Sequence, residues 1–149
     1  PSLERQLGYE LLINITSCDK NLINIADGIF LSHVLEHIPP NLALEALKNC
    51  FRYLKKDGCL RIVVPDLEKM KLNPTNEATD NIRNAINLNR GFYDWGHKFM
   101  YHSDLVIFLL EEAGFSNIEQ VDFQKGLLGK TDLAKYKQVS IYVTAIKQN

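Results

Sequence analysis

The sequence has no unbroken apolar run much beyond five residues, and Val106 to Leu110 lies in one of the longest. A membrane-crossing helix needs about 20. The opening residues do not read as a signal peptide, so a cytoplasmic protein with no membrane association is the expectation. Basic stripes and tails are also lacking. Seventeen Lys and Arg stand against eighteen Asp and Glu, for a formal net charge of −1, which argues against broad electrostatic binding to nucleic acid. Cysteine is scarce: Cys18, Cys50 and Cys59, with no Cys-x-x-Cys spacing. An odd count without a secretory signal reads as reduced thiols, and Cys50 and Cys59 are expected to serve as small core hydrophobes. Repeats, low-complexity tracts and linkers are missing, so residues 1–149 are read as a single domain. With 46% hydrophobic residues, that domain can fill one sizeable core. The chain opens on Pro1 rather than Met, which fits a processed or cropped chain.

What is present is organised around Ile29-Phe-Leu-Ser-His-Val-Leu-Glu-His-Ile-Pro-Pro40. The apolar run Ile29 to Leu31 predicts a short buried strand. It stops at Ser32 and His33, followed by the titratable Glu36 and His37. Pro39-Pro40 then turns into the clearest helical pattern of the chain, over 41–57. There Ala43, Ala46, Leu47, Cys50, Phe51 and Leu54 share one face, with Asn49 placed on the polar one. Gly58 suits a left-handed helix end. Cys59 to Val64 predicts the next strand, closed by Pro65. Strand, helix and strand at this spacing make a βαβ unit with parallel pairing. Polar groups at the carboxyl ends of both strands mark the edge where open α/β sheets bind ligands.

Around this unit, Tyr9 to Ile15 predicts an earlier strand. Residues 69–102 read as an insertion over the site, with a helix from Glu77 to Asn89. Phe92, Tyr93, Trp95, Phe99 and Tyr101 then supply either a pocket lining or a satellite core. Ser103 is the expected N-cap of an apolar helix closed by Gly114. Ile118 to Phe123 and Val139 to Ile146 predict two last strands, paired antiparallel. All four histidines, His33, His37, His97 and His102, fall near the expected pocket.

Three stretches in order resemble the class I S-adenosylmethionine-dependent methyltransferases. They are Ser-His-Val-Leu-Glu-His-Ile at 32–38, Leu-Lys-Lys-Asp-Gly-Cys-Leu-Arg-Ile-Val-Val-Pro-Asp-Leu-Glu at 54–68 and Leu-Leu-Glu-Glu-Ala-Gly-Phe at 109–115. The segment at 140–147 fits the family's last strand. The chain is most similar to a small bacterial branch often linked with sugar and cell-surface polysaccharide clusters. The resemblance implies a Rossmann-like α/β fold: a mostly parallel sheet of seven strands, helices on both faces and an antiparallel last strand. It also implies S-adenosylmethionine as cofactor. Asn14 and Ile15 would lie near the adenine, Ser32 and His33 near the methionine part with Leu35 in support. Glu36 and His37 would open the acceptor pocket, and His97 would come down from the insertion. His37 and His97 are the candidate bases.

The sequence departs from the family where the cofactor loop should be. None of its eight glycines form Gly-x-Gly, and the first two strands of the family are not visible. The fold is therefore expected to be truncated at its amino-terminal side. Three functions compete. One is methyl transfer to a small-molecule or saccharide-like acceptor. Another is a non-catalytic methyltransferase-like module that binds a partner chain, a homodimer included. The third is a metal-dependent hydrolase. Some methyltransferases acting on RNA ends or quinone precursors are similar in holding a divalent ion through Glu-x-x-Glu-His. Here the run is His33-Val-Leu-Glu36-His37, and a set of His33, Glu36, His37 and His97 would suit a transition metal.

Overall fold

A computed structural model of the protein describes residues 13–70 and 78–148, with side chains described outside 70–80. Its centre is a four-stranded sheet in the order β1-β2-β4-β3, built from β1 (Ala26–Ser32), β2 (Leu54–Pro65), β3 (Ser116–Gln120) and β4 (Ser140–Ile146). β1 and β2 run parallel, pairing Leu31 with Ile62 and Ser32 with Val63. β4 runs antiparallel to both β2 and β3. This is an α/β Rossmann-like sheet with the expected antiparallel last strand. The further strands of a seven-stranded sheet are not among the described residues.

Helix α1 (Pro40–Tyr53) connects β1 to β2. Pro40 sits in its first turn, where a missing N–H costs nothing. The face of Ala43, Ala46, Leu47 and Cys50 is buried against Leu60, Ile62 and Val64 of β2 and Ile141, Val143 and Ala145 of β4. Helix α4 (Ser103–Glu112) adds Val106 and Leu110 to the same core. Gly114 follows at φ +97°, a conformation only glycine adopts without strain. The opposite face carries Arg61, which the loop between β3 and β4 covers, with short 3-10 turns at Gly129–Thr131 and Ala134–Tyr136. Where helices on both faces were expected, this loop does the covering among the described residues.

A short helix α2 (Leu67–Met70) leaves β2, and α3 (Ala78–Tyr93) makes up the insertion. The helical pattern there is realised, but Ile82 and Ile86 lie exposed rather than against the core. The aromatic cluster divides. Tyr101 is buried and Phe99 packs on it, whereas Tyr93 and Trp95 stay exposed.

Five local expectations are corrected. Helix α1 stops at Tyr53 because Leu54 is already extended and pairs with Ala26. The left-handed position falls on Asp57 (φ +61°), not Gly58. Gly58 is needed for space instead: a Cβ there would stand 2.9 Å from the Lys55 carbonyl oxygen. Asn49 is buried, because its amide donates to the Ile15 carbonyl at 2.9 Å. His102, not Ser103, caps α4, since its ring accepts from the Asp104 N–H. Lastly, Tyr9 to Ile15 is no strand where it is described. Residues 9–12 lie outside the described residues, and Asn14 makes a turn by accepting from the Thr16 N–H at 3.1 Å, a local bond that competes with a ladder.

Candidate functional site

The carboxyl ends of β1 and β2 meet at Ser32 and Pro65. Beyond them the chain turns sharply: His33 takes φ +54°, its N–H donating to the Val63 carbonyl at 2.8 Å. A single 3-10 turn, Leu35–His37, follows. Leu35 and Glu36 are wholly buried beneath it while His37 is exposed. The insertion docks on this turn by its backbone. The Glu36 carbonyl accepts from the Lys98 N–H at 2.7 Å and the Phe99 N–H at 3.2 Å, which holds the neighbouring His97 over the turn.

Three of the four histidines therefore line one cavity of about 620 Å³, together with Trp95, Lys135 and Tyr136. His102 does not, being spent as the α4 cap. A smaller cavity of about 280 Å³, bounded by Lys69, Phe123 and Tyr142, holds no histidine. The rings of His37 and His97 meet edge to face at 5.0 Å between centroids. Each is oriented by a backbone carbonyl. His37 Nδ1–H donates to Gly96 O at 3.2 Å and His97 Nδ1–H to Gly91 O at 2.8 Å. A carbonyl only accepts, so both rings, when neutral, carry their proton on Nδ1 and a lone pair on Nε2.

His33 is held differently. Its Nε2 is hydrogen-bonded to the Ser140 hydroxyl at 3.0 Å, its ring stacks on Tyr136 at 3.5 Å, and its Nδ1 lies 3.0 Å from Glu36 Oε1. Ser140, His33 and Glu36 thus align like a nucleophile relay. Ser140 is wholly buried, however, and a nucleophile must reach its substrate, so this is a positioning chain for His33. The Glu36 carboxylate is the unusual member. It is wholly buried, and neither oxygen receives an aligned hydrogen bond despite the short approach of His33. The Tyr101 hydroxyl is likewise buried and unpartnered. Burial first, and then the Glu36 charge, push it up to about 12, so it stays protonated.

The adenine-side expectation is not met. Ile15 is bonded to Asn49 in the second half of α1, and the end of that helix lies against Ile25, at the start of β1. Asn14 and Ile15 thus stand at the opposite end of β1 from Ser32 and His33. Tyr136 and Ser140 were missed by sequence reading. Ser140 was assigned only to a strand, and Tyr136 closes a loop with no periodicity.

Solved structures of low sequence identity share this fold. A methyltransferase dependent on S-adenosylmethionine (SAM) from Archaeoglobus fulgidus aligns at TM-score 0.55 and 21% identity, over 85% of this chain and 61% of that one. The fold is a methyltransferase fold. A protein of Bacillus halodurans C-125 with a provisional methyltransferase assignment aligns at TM-score 0.58 and 18% identity, over 97% of this chain and 79% of its own. PigF, solved with SAH, aligns at 0.53 and 17% identity, over 84% and 32%. No protein-family model and no curated protein matches the sequence. The chain spans less than two thirds of the Archaeoglobus methyltransferase.

The described residues fit one side of the methyltransferase cofactor. The Ser32 hydroxyl is buried without a partner at the end of β1, where a polar ligand group could satisfy it. No Gly-x-Gly turn anywhere in the sequence supplies the facing wall. No helix among the described residues is long and apolar enough to cross a membrane.

Proposed function

We propose that the protein takes part in methyl transfer from S-adenosylmethionine to a small-molecule or saccharide-like acceptor. The observation that carries this reading is the cavity in which His33, His37 and His97 converge over the ends of β1 and β2, on a sheet with the methyltransferase topology. The cofactor supplies an electrophilic methyl group on a sulfonium. The residues of this chain supply the acceptor side. Trp95 and Tyr136 give apolar faces that orient an acceptor and shed its water. His37 and His97 offer Nε2 lone pairs that accept a hydrogen bond from an acceptor hydroxyl or amine and, as the new bond to carbon forms, receive its proton. On this reading His33, held by Ser140 and Tyr136, serves the cofactor side together with Ser32.

Calorimetry of the intact gene product with S-adenosylmethionine and S-adenosylhomocysteine tests the proposal. Saturable binding of both is expected. A folded protein that binds neither is not a methyltransferase.

A second reading is favoured by β1, which forms one edge of the described sheet. An unpaired edge is a template for another strand. On that reading the domain binds a partner chain, a second copy included. Sedimentation velocity separates the two: a monomer that binds cofactor excludes the module.

A further inference from the structure

We propose that Glu36, His37 and His97 form a binding site for a divalent first-row transition-metal ion. The three side chains each offer one ligand atom, and these atoms lie within 4.8 Å of one another. Ligands about 2.1 Å from a common ion stand roughly 3–4 Å apart. The triangle therefore needs only a small inward turn of His37, whose side chain is 42% exposed.

Three features distinguish this cluster from three polar neighbours. The first is the Glu36 carboxylate, fully buried with no aligned hydrogen bond to either oxygen, although His33 Nδ1 stands 3.0 Å from Oε1. A buried carboxylate so poorly satisfied is costly unless a cation faces it. The second is the state of the imidazoles. Both Nδ1–H groups are committed to backbone carbonyls, Gly96 for His37 and Gly91 for His97. Metal-ligating histidines are oriented in this way, with the other nitrogen left for the ion. His37 Nε2, which carries the lone pair in that tautomer, stands 3.9 Å from Glu36 Oε1. Two acceptors facing each other repel unless something positive lies between them. The third is rigidity. The Lys98 and Phe99 N–H bonds to the Glu36 carbonyl fix His97 over the turn from outside the cluster.

Two imidazole nitrogens and one carboxylate oxygen suit Zn²⁺, Fe²⁺ or Mn²⁺ rather than Mg²⁺ or Ca²⁺. The remaining coordination positions face the cavity and are open to water or to an oxygen of a ligand. In the loaded site His37 and His97 would be ligands, and their Nε2 lone pairs would no longer be open to a proton. His33 is not a ligand: its Nε2 is held by Ser140 and its ring by Tyr136. The site does not rest on the methyl-transfer reading, since its test contains no methyl donor.

The test is calorimetric titration of chelator-stripped protein with Zn²⁺, repeated with Mg²⁺, and the visible spectrum of the Co²⁺-substituted form. The wild type is expected to take one Zn²⁺, with a raised melting temperature, to ignore Mg²⁺, and to show Co²⁺ d–d bands. Glu36→Gln keeps the shape of the buried group. It and His97→Ala should each weaken Zn²⁺ by more than about 100-fold, the most that loss of an outer-sphere partner costs. His102→Ala, outside the cluster, should bind as wild type. Retention of Zn²⁺ affinity in Glu36→Gln would overturn the site as built, leaving only exposed imidazoles. Absence of binding to the wild type, or equal binding of Mg²⁺, overturns it outright.

Discussion

Two carboxylates of this molecule are buried, and they are treated in opposite ways. Asp132 receives the Arg61 guanidinium on both oxygens and the Gln124 N–H at 2.7 Å. Arg61 is fully buried as well, and its Nη1 donates to the Lys125 and Leu127 carbonyls. Glu36 is as deeply buried, yet nothing donates to it in good geometry. A buried charge with both oxygens hydrogen-bonded is structural: it clamps the loop between β3 and β4 onto β2. One left unsatisfied stores free energy that a ligand or cation can release. The contrast marks Asp132 as holding the fold and Glu36 as the member on which the proposed metal site rests.

The contrast breaks most severely at Arg61. Arg61→Leu leaves Asp132 buried without its cation, and urea unfolding should show a loss of about 3–5 kcal/mol. A loss under about 1 kcal/mol would mean that the clamp is solvated in solution. Replacing both partners, Arg61→Met with Asp132→Leu, removes the stranded charge, so at least about 2 kcal/mol of that loss should return. No recovery would assign the cost to the loop carbonyls instead. Ser140→Ala deletes the hydroxyl that holds His33. About 1 kcal/mol of stability should go, and the His33 ring resonance should broaden in NMR spectra as the ring loses its anchor. The smallest effect is the most telling. In chelator, Glu36→Gln should leave stability within about 0.5 kcal/mol of wild type or raise it, since an amide can donate where the carboxylate could not. A drop of several kcal/mol in urea melts would show Glu36 to be a second Asp132.

How much of this could be read from the chain depends on the distance over which each feature is decided. The β1–α1–β2 unit was legible because burial repeats along it at short range, from Leu31 through Ala46 to Ile62. Gly114 was legible because a helix end needs a left-handed residue. Near misses came where two residues compete for one local role, as His102 does with Ser103 and Asp57 with Gly58. Asn49 looked solvent-facing by periodicity and is buried because Ile15, 34 residues away, needs a donor. Arg61 lies within the predicted strand Cys59 to Val64, and its partner Asp132 lies 71 residues further on. In the candidate site, the His33-Glu36-His37 run was visible as sequence neighbours. His97 came from the resemblance and from its place in the insertion. Tyr136, Ser140 and the misplacement of Asn14 and Ile15 were out of reach of any local pattern.

By itself the sequence determined the class of fold, the parallel βαβ core and the position of titratable groups at a strand end, because each follows from periodicity and from what glycine and proline permit. Only the tertiary structure decided which buried charge is satisfied and which is not. Hydrogen-bond partners of buried groups come from distant segments, and their alignment exists only once the sheet, the insertion and the covering loop are packed together.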